Sequence, residues 1–173
     1  MNLFPWFLFA HVLGAIIAFG PTFSFPIIGR LGAMERQHGN FATRVSSMLS
    51  RIQVIPFAIL QGVTGVGLIV TGNIDVMKAP WLLISIVLYL IAIGYALFVQ
   101  TPTVKRVIEM TSGGPPAGAP GGPGAGGPPA GGPPAGGPPP ELMALVKRVQ
   151  RGGMFLMALV VTIVFLMVAK PAL

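Results

Sequence analysis

Four long apolar runs, at roughly residues 3–28, 52–72, 80–100 and 153–169, dominate the pattern of hydrophobic and polar positions along this chain. The hydrocarbon core of a bilayer is about 30 Å thick, and about 20 apolar helical residues cross it. The runs therefore predict an all-α membrane protein that folds as a four-transmembrane-helix bundle. Residues 1–112 form its three-span part, and residues 141–173 contain an amphipathic turn and the fourth span.

The segment between the third and fourth runs, residues 113–140, contains only Gly, Pro and Ala. Because it has almost no side-chain surface to bury, it cannot repay the entropy cost of becoming ordered. The sequence therefore predicts a disordered Gly/Pro-rich cytoplasmic loop that tethers spans three and four. Docking of a proline-binding partner on this loop stays an alternative.

The ends of the runs carry further structural signals. Pro21 and Pro26 fall late in the first run, where a missing backbone donor and a clash with the preceding turn predict a kink or break. Residues 40–51, 101–111 and 141–152 are expected to extend the helices beyond the apolar runs. The last of these has an apolar face and a basic face, so it is able to lie along the head-group layer.

Composition supports the membrane class independently, because 53% of the residues are hydrophobic and 9% are charged. Soluble domains carry about 25% charged residues. The absence of Cys excludes disulfides, thiolate metal sites and Cys nucleophiles. The net charge of +7 comes from cations beside span ends. We therefore expect anionic lipid head groups, and not nucleic acid, as the partner of these cations.

Cations between the runs predict the orientation of the chain. Nine of the eleven Lys and Arg residues fall in segments 30–51 and 101–152, and only Lys78 and Lys170 fall elsewhere. Cytoplasmic loops near span ends are enriched in Lys and Arg. The prediction is a multi-pass protein of the cell (cytoplasmic or inner) membrane with both termini outside. Because only Met1 and Asn2 precede the first run, we expect a retained span and not a cleaved signal.

His11 is the only ionisable residue well inside a span, and such residues are candidates for function. A row of small residues, Ala10, Gly14 and Ala18, runs beside it at a spacing of four. Small residues at this spacing let a second helix approach closely. We therefore expect His11 to point into the bundle, with Gly62 and Gly65 allowing equally close packing of span two.

Depth along the spans predicts partners for His11. At 1.5 Å per residue, His11 lies about 10 Å below the outer surface. Polar residues of spans two and three fall at roughly 8–17 Å by the same count, and these are Gln61, Thr64, Ser85 and Tyr89. They could form one hydrogen-bonded layer. Three interpretations of His11 stay open: a structural tie between helices, a haem or metal ligand, and a proton-relay or substrate contact.

The sequence lacks the usual parts of enzymes and pumps: it has no Ser/His/Asp set, no paired intramembrane carboxylates and no P-loop. The leading hypothesis is a non-enzymatic membrane component, namely a scaffold, an accessory subunit or a small-solute permeation element. The alternative is a haem-binding membrane oxidoreductase or a haem- or metal-handling protein that uses His11. His38 lies far from His11 in the chain, so a homodimer is one way to supply two histidines.

The segment Phe9-Ala10-His11-Val12-Leu13-Gly14-Ala15-Ile16, followed by Gly20 and Gly29-Arg30-Leu31, resembles an uncharacterised bacterial family of small predicted integral membrane proteins. That family opens with a His-Val/Ile-Leu-Gly-Ala span and a basic loop. The segment is also distantly similar to the first helix of the four-span group of HemJ-type protoporphyrinogen oxidases and CopD-type copper-resistance proteins. In that group the histidine matching His11 is linked to haem or metal, so the resemblance implies haem as a candidate cofactor.

Overall fold

A computed structural model describes residues 2–35, 38–112 and 139–171, and in these residues it contains helices and no strand. The predicted loop at 113–140 lies almost entirely outside the described residues. Four helices are long and apolar enough to cross a membrane, which confirms the predicted fold class. They are α1 (Phe4–Met34), α2 (Gly39–Thr71), α3 (Pro80–Ser112) and α4 (Pro140–Ala169).

All four helices extend beyond the apolar runs, at the end of the bundle where α1 and α3 end and α2 and α4 begin. The predicted helical extensions at 40–51, 101–111 and 141–152 are therefore confirmed. Nδ2 of Asn40, near the start of α2, donates to Oγ1 of Thr111 in α3 at 2.6 Å. This hydrogen bond joins the two extensions across the bundle.

The helices pack in a closed order, with α1 against α2, α3 against α4, and α1 against α4. The extensions of α2 and α3 complete the ring. Few apolar side chains are buried; Ala18, Leu82 and Val107 are among them. Large apolar side chains are instead exposed on every helix. This is expected of helices in lipid, because hydrocarbon solvates an apolar side chain as well as a protein interior does.

Of the predicted kink or break at Pro21 and Pro26, the break does not occur, since α1 is helical from Phe4 to Met34. Pro21 has no N–H, so it leaves the carbonyl four residues earlier, that of Ile17, without its helical donor. Nε2 of Gln53 in α2 donates to this carbonyl at 3.0 Å. A neighbouring helix thus supplies the missing donor, which is how membrane helices tolerate proline.

Two π-helical turns interrupt the regular winding, at Ser50–Val54 in α2 and at Ala96–Gln100 in α3. Pro56 and Pro102 follow them closely. A proline ring collides with the carbonyl four residues earlier, and a wider turn relieves that collision. The second turn contains Gln100, whose Nε2 donates to the carbonyl of Val149 in α4 at 3.0 Å.

The charged residues divide between the two ends of the bundle. The described Lys and Arg side chains at the end formed by the extensions are Arg30, Arg44, Arg51, Lys105, Arg106, Lys147, Arg148 and Arg151. We call this the cation-rich end. Lys78 and Lys170 lie at the opposite end, where Nζ of Lys170 is 5.8 Å from the ring centre of Trp81.

Candidate functional site around His11

His11 and Thr64 form the centre of the candidate site. Nδ1 of His11 in α1 lies 2.9 Å from Oγ1 of Thr64 in α2. The Thr64 hydroxyl donates to the carbonyl of Leu60 at 2.9 Å, and the carbonyl of Gln61 is 3.2 Å away. The two helices that pack most extensively are therefore joined by a polar contact within the apolar part of the bundle.

The partners of Thr64 determine the proton position on His11. A threonine hydroxyl has one proton, which either a backbone carbonyl of α2 or Nδ1 of His11 can accept. When the carbonyl of Leu60 or Gln61 accepts it, Nδ1 of His11 carries the ring proton and donates to Oγ1. In that tautomer Nε2 is an acceptor. It is the ring atom that remains to bind a further group.

Glycines of α2 make room for aromatic side chains of α1. A Cβ at Gly65 would lie 3.4 Å from Cε1 of His11, and a Cβ at Gly67 would overlap the ring of Phe7. At this contact, the rings of His11 and Phe7 in α1 therefore pack directly against the backbone of α2 at Gly65 and Gly67. This brings the two backbones close enough for the contact between His11 and Thr64.

Gln61 lies one turn from Thr64 and is 6% exposed. A Cβ at Gly14 would lie 2.9 Å from its Oε1. Within the described residues, Oε1 of Gln61 has no hydrogen-bond partner. Gly14 and Ala18 are buried and Ala10 is partly exposed, so the row of small residues on α1 packs inside the bundle.

Ser85 and Tyr89, the predicted contributions of the third span, bond to backbone carbonyls. Oγ of Ser85 is fully buried and donates to the carbonyl of Trp81 in its own helix at 2.7 Å. The Tyr89 hydroxyl donates to the carbonyl of Ala58 in α2 at 2.8 Å, and Gly62 leaves space for it. Tyr89 therefore ties α3 to α2, whereas the hydrogen bond of Ser85 stays within α3.

The structure directly joins two of the five predicted layer residues, His11 and Thr64. Sequence reasoning missed Gln53 and Gln100, whose side chains also bond across spans. A signal for both exists in the sequence. Each is a glutamine within three residues of a proline.

The described residues fit a haem or metal site only in part. His11 has an unused ring nitrogen, but His38 lies at the opposite end of α1, where its Nδ1 is 2.9 Å from Glu35. A pair of histidine ligands from one chain is therefore not brought together. Nor do the described residues contain a group of three or more His, Asp or Glu side chains able to hold a metal ion.

Comparison with known proteins identifies the family. Residues 6–113, well over half of the chain, match the family described as predicted integral membrane protein (DUF2269). No curated protein and no solved structure matches the chain. The similarity to HemJ-type and CopD-type proteins is not shown, whereas the predicted membership of an uncharacterised membrane family is confirmed. The chain belongs to the DUF2269 family of predicted integral membrane proteins.

Proposed function

We propose that this integral membrane protein is a non-enzymatic scaffold or accessory subunit of the cell membrane. One observation carries the proposal: two polar side chains of the predicted layer hold helices together. His11 bonds to Thr64, and Tyr89 bonds to the backbone of α2. Interhelical hydrogen bonds in membranes contribute about 0.6–2 kcal/mol each. These two bonds tie α1 and α3 to α2.

The same observation favours a scaffold over a small-solute permeation element. A permeation path needs polar groups that face water along the span. Two cavities lie between α3 and α4 near the cation-rich end, and neither His11 nor Gln61 lines them. His11 and Tyr89 are instead bonded across helix contacts.

We infer that the cation-rich end faces the cytoplasm, with both termini outside. Eight described cations lie at this end and two at the other. The bias of Lys and Arg toward cytoplasmic loops supports this orientation.

Substitutions of His11 separate a structural tie from ligand chemistry. In Asn the side-chain amide nitrogen occupies a position like that of Nδ1, whereas in Gln it reaches the position of Nε2. If His11 is a tie, His11→Asn keeps the donor to Thr64 and melts close to wild type, while His11→Ala and His11→Gln melt lower. Thermal melting of the detergent-purified protein measures this order. Equal losses in all three variants would contradict the proposal.

The accessory role itself is tested by photo-cross-linking in native membranes. One exposed apolar position on each helix carries the cross-linker: Ile27, Val70, Phe98 and Phe165. A scaffold that docks a membrane partner gives one discrete adduct from one helix or from neighbouring helices. Adducts only to lipid at all four positions would contradict an accessory subunit.

A second candidate function, haem handling through His11, is favoured by the contact between Nδ1 of His11 and Oγ1 of Thr64. Histidine ligands commonly donate one ring N–H to a neighbouring oxygen and bind through the other nitrogen. His11 has the first half of this arrangement in its bond to Thr64. A Soret band in protein from haem-replete cells, lost in both His11→Ala and His11→Asn, would support it. A colourless wild-type preparation would exclude it and leave the scaffold proposal standing.

A further inference from the structure

A cavity of about 750 Å³ opens between α3 and α4, away from the His11 layer. Three of the residues that line it are cations in the extension of α4: Lys147, Arg148 and Arg151. Gly152 lies directly after them and is buried. The size of the cavity falls within the range of sites that hold small organic ligands.

The wall of the cavity on the side of the bilayer centre is apolar. Ile91 and Phe155 line it and are 47% and 43% exposed. The ring of Tyr95 packs edge-on against that of Phe155, with centroids 5.1 Å apart. Aromatic walls therefore lie on the side of the cations toward the apolar part of the bundle.

Gly152 lets α3 and α4 approach closely at this cavity, because it has no side chain. A Cβ there would overlap the side-chain amide of Gln100 and lie 2.8 Å from the Tyr95 hydroxyl. Gln100 meanwhile bonds to the carbonyl of Val149, one turn before Gly153. The cations therefore project from a firmly anchored part of α4.

The positive charge of the cavity is not neutralised within the described residues. No salt bridge involves Lys147, Arg148 or Arg151 there, and Glu141, six residues before Lys147, pairs instead with Arg106 at 3.6 Å. Segment 113–140 contains only Gly, Pro and Ala, so it supplies no anionic side chain. These three exposed cations have no acidic partner within the described residues, so they are free to bind an anion from outside the chain.

The geometry points to a binding site for one anionic phospholipid in this cavity, with its phosphate among Lys147, Arg148 and Arg151 and an acyl chain along Ile91 and Phe155. A ligand that is both anionic and apolar matches the two halves of the cavity. Basic pockets between transmembrane helices bind anionic head groups in this way. Nucleic acid and soluble anions match only the cationic half.

Native mass spectrometry of the detergent-solubilised protein tests the site with phosphatidylglycerol and, for comparison, phosphatidylcholine. The test variant is K147Q/R148Q/R151Q. Its matched control, R30Q/R44Q/K105Q, removes the same charge from the same end of the bundle outside the cavity. Each cation near anionic lipid contributes about fivefold to binding, so the test variant should bind phosphatidylglycerol on the order of a hundredfold more weakly. The control should stay close to wild type.

A second variant, Ala144→Trp, keeps every charge and fills the mouth of the cavity with a ring at an exposed position. It should lose the bound phosphatidylglycerol as well. Equal weakening in the matched control, or unchanged binding in both cavity variants, would overturn the site. Glycerol phosphate added at the lipid concentration should not displace the lipid; if it does, the cavity binds phosphate alone and the assignment to a phospholipid is wrong.

Discussion

The side-chain amide of Gln53 donates to the carbonyl of Ile17, the carbonyl that Pro21 leaves without a helical donor. The two residues lie on different helices: Pro21 removes a donor from α1, and Gln53 of α2 supplies a replacement. In hydrocarbon an unpaired carbonyl costs several kcal/mol, because no water is present to bond it. The pair therefore lets α1 contain a proline while staying helical.

Replacing Gln53 should destabilise the bundle. Gln53→Leu removes the donor and leaves the carbonyl of Ile17 unpaired at the contact of α1 with α2. We expect a loss of about 1–2 kcal/mol in unfolding free energy, the upper range for such bonds in membranes. Unfolding in mixed micelles with increasing denaturing detergent measures it.

A double-mutant cycle with Pro21→Ala provides the control. Alanine restores the N–H at position 21, so the helix itself can bond the carbonyl of Ile17. Gln53→Leu should then cost much less in the Pro21→Ala background than in wild type. The same cost in both backgrounds would show that Gln53 contributes by packing alone.

Gln100→Leu should cost less than Gln53→Leu. The carbonyl of Val149 has no proline four residues later, so it keeps its helical donor when Gln100 is removed. We expect a loss near the average of about 0.6 kcal/mol for such bonds in membranes. The same detergent titration compares the two variants directly. A larger loss for Gln100→Leu would contradict the role assigned to Pro21.

Glycines in α2 and α4 should respond differently to alanine. A methyl group at Gly67 would overlap the ring of Phe7, whereas at Gly153 it would meet nothing within 4 Å. Gly67→Ala should therefore cost about 1–3 kcal/mol, the usual penalty of overpacking. Gly153→Ala should be neutral or stabilising, because alanine favours a helix by up to about 1 kcal/mol. Melting temperatures of the two variants check the contrast.

Single cysteines should reveal the orientation, because the chain contains no native Cys. Cysteine at position 78 or 170 should react with a membrane-impermeant maleimide on intact cells. Cysteine at position 44 or 105 should react only after the membrane is made permeable. The reverse pattern would place the cation-rich end outside and contradict the positive-inside interpretation.

The four spans were predictable because hydrocarbon imposes a length and a composition that the sequence displays openly. The contact of His11 with Thr64 followed from the same logic, since helices crossing one slab place residues at countable depths. Two side chains at similar depth meet whenever their helices are rotated so that the two residues face each other. That part of the site could be anticipated without coordinates.

The backbone bonds of Ser85, Tyr89 and Gln53 were not predictable in this way. Depth counting pairs side chains with side chains, but these three donate to carbonyls that a sequence pattern does not mark. Predicting helices with a uniform period of 3.6 residues also misses the two π turns. The continuity of α1 through Pro21 depends on a donor 32 positions later in the chain.

Each π turn also lets its helix hold one more residue without turning the faces on either side of it. Ser50–Val54 contains one more residue than a regular turn needs, so deleting one residue there would leave a regular α-helix whose two parts keep nearly the same faces. The hydrogen bond between Asn40 and Thr111 would then be kept. Deleting one residue from the regular part of α2 between Asn40 and this turn would instead rotate Asn40 by about 100° relative to the rest of the helix. In natural variants of this chain, a one-residue gap should therefore be tolerated at the π turn and not before it.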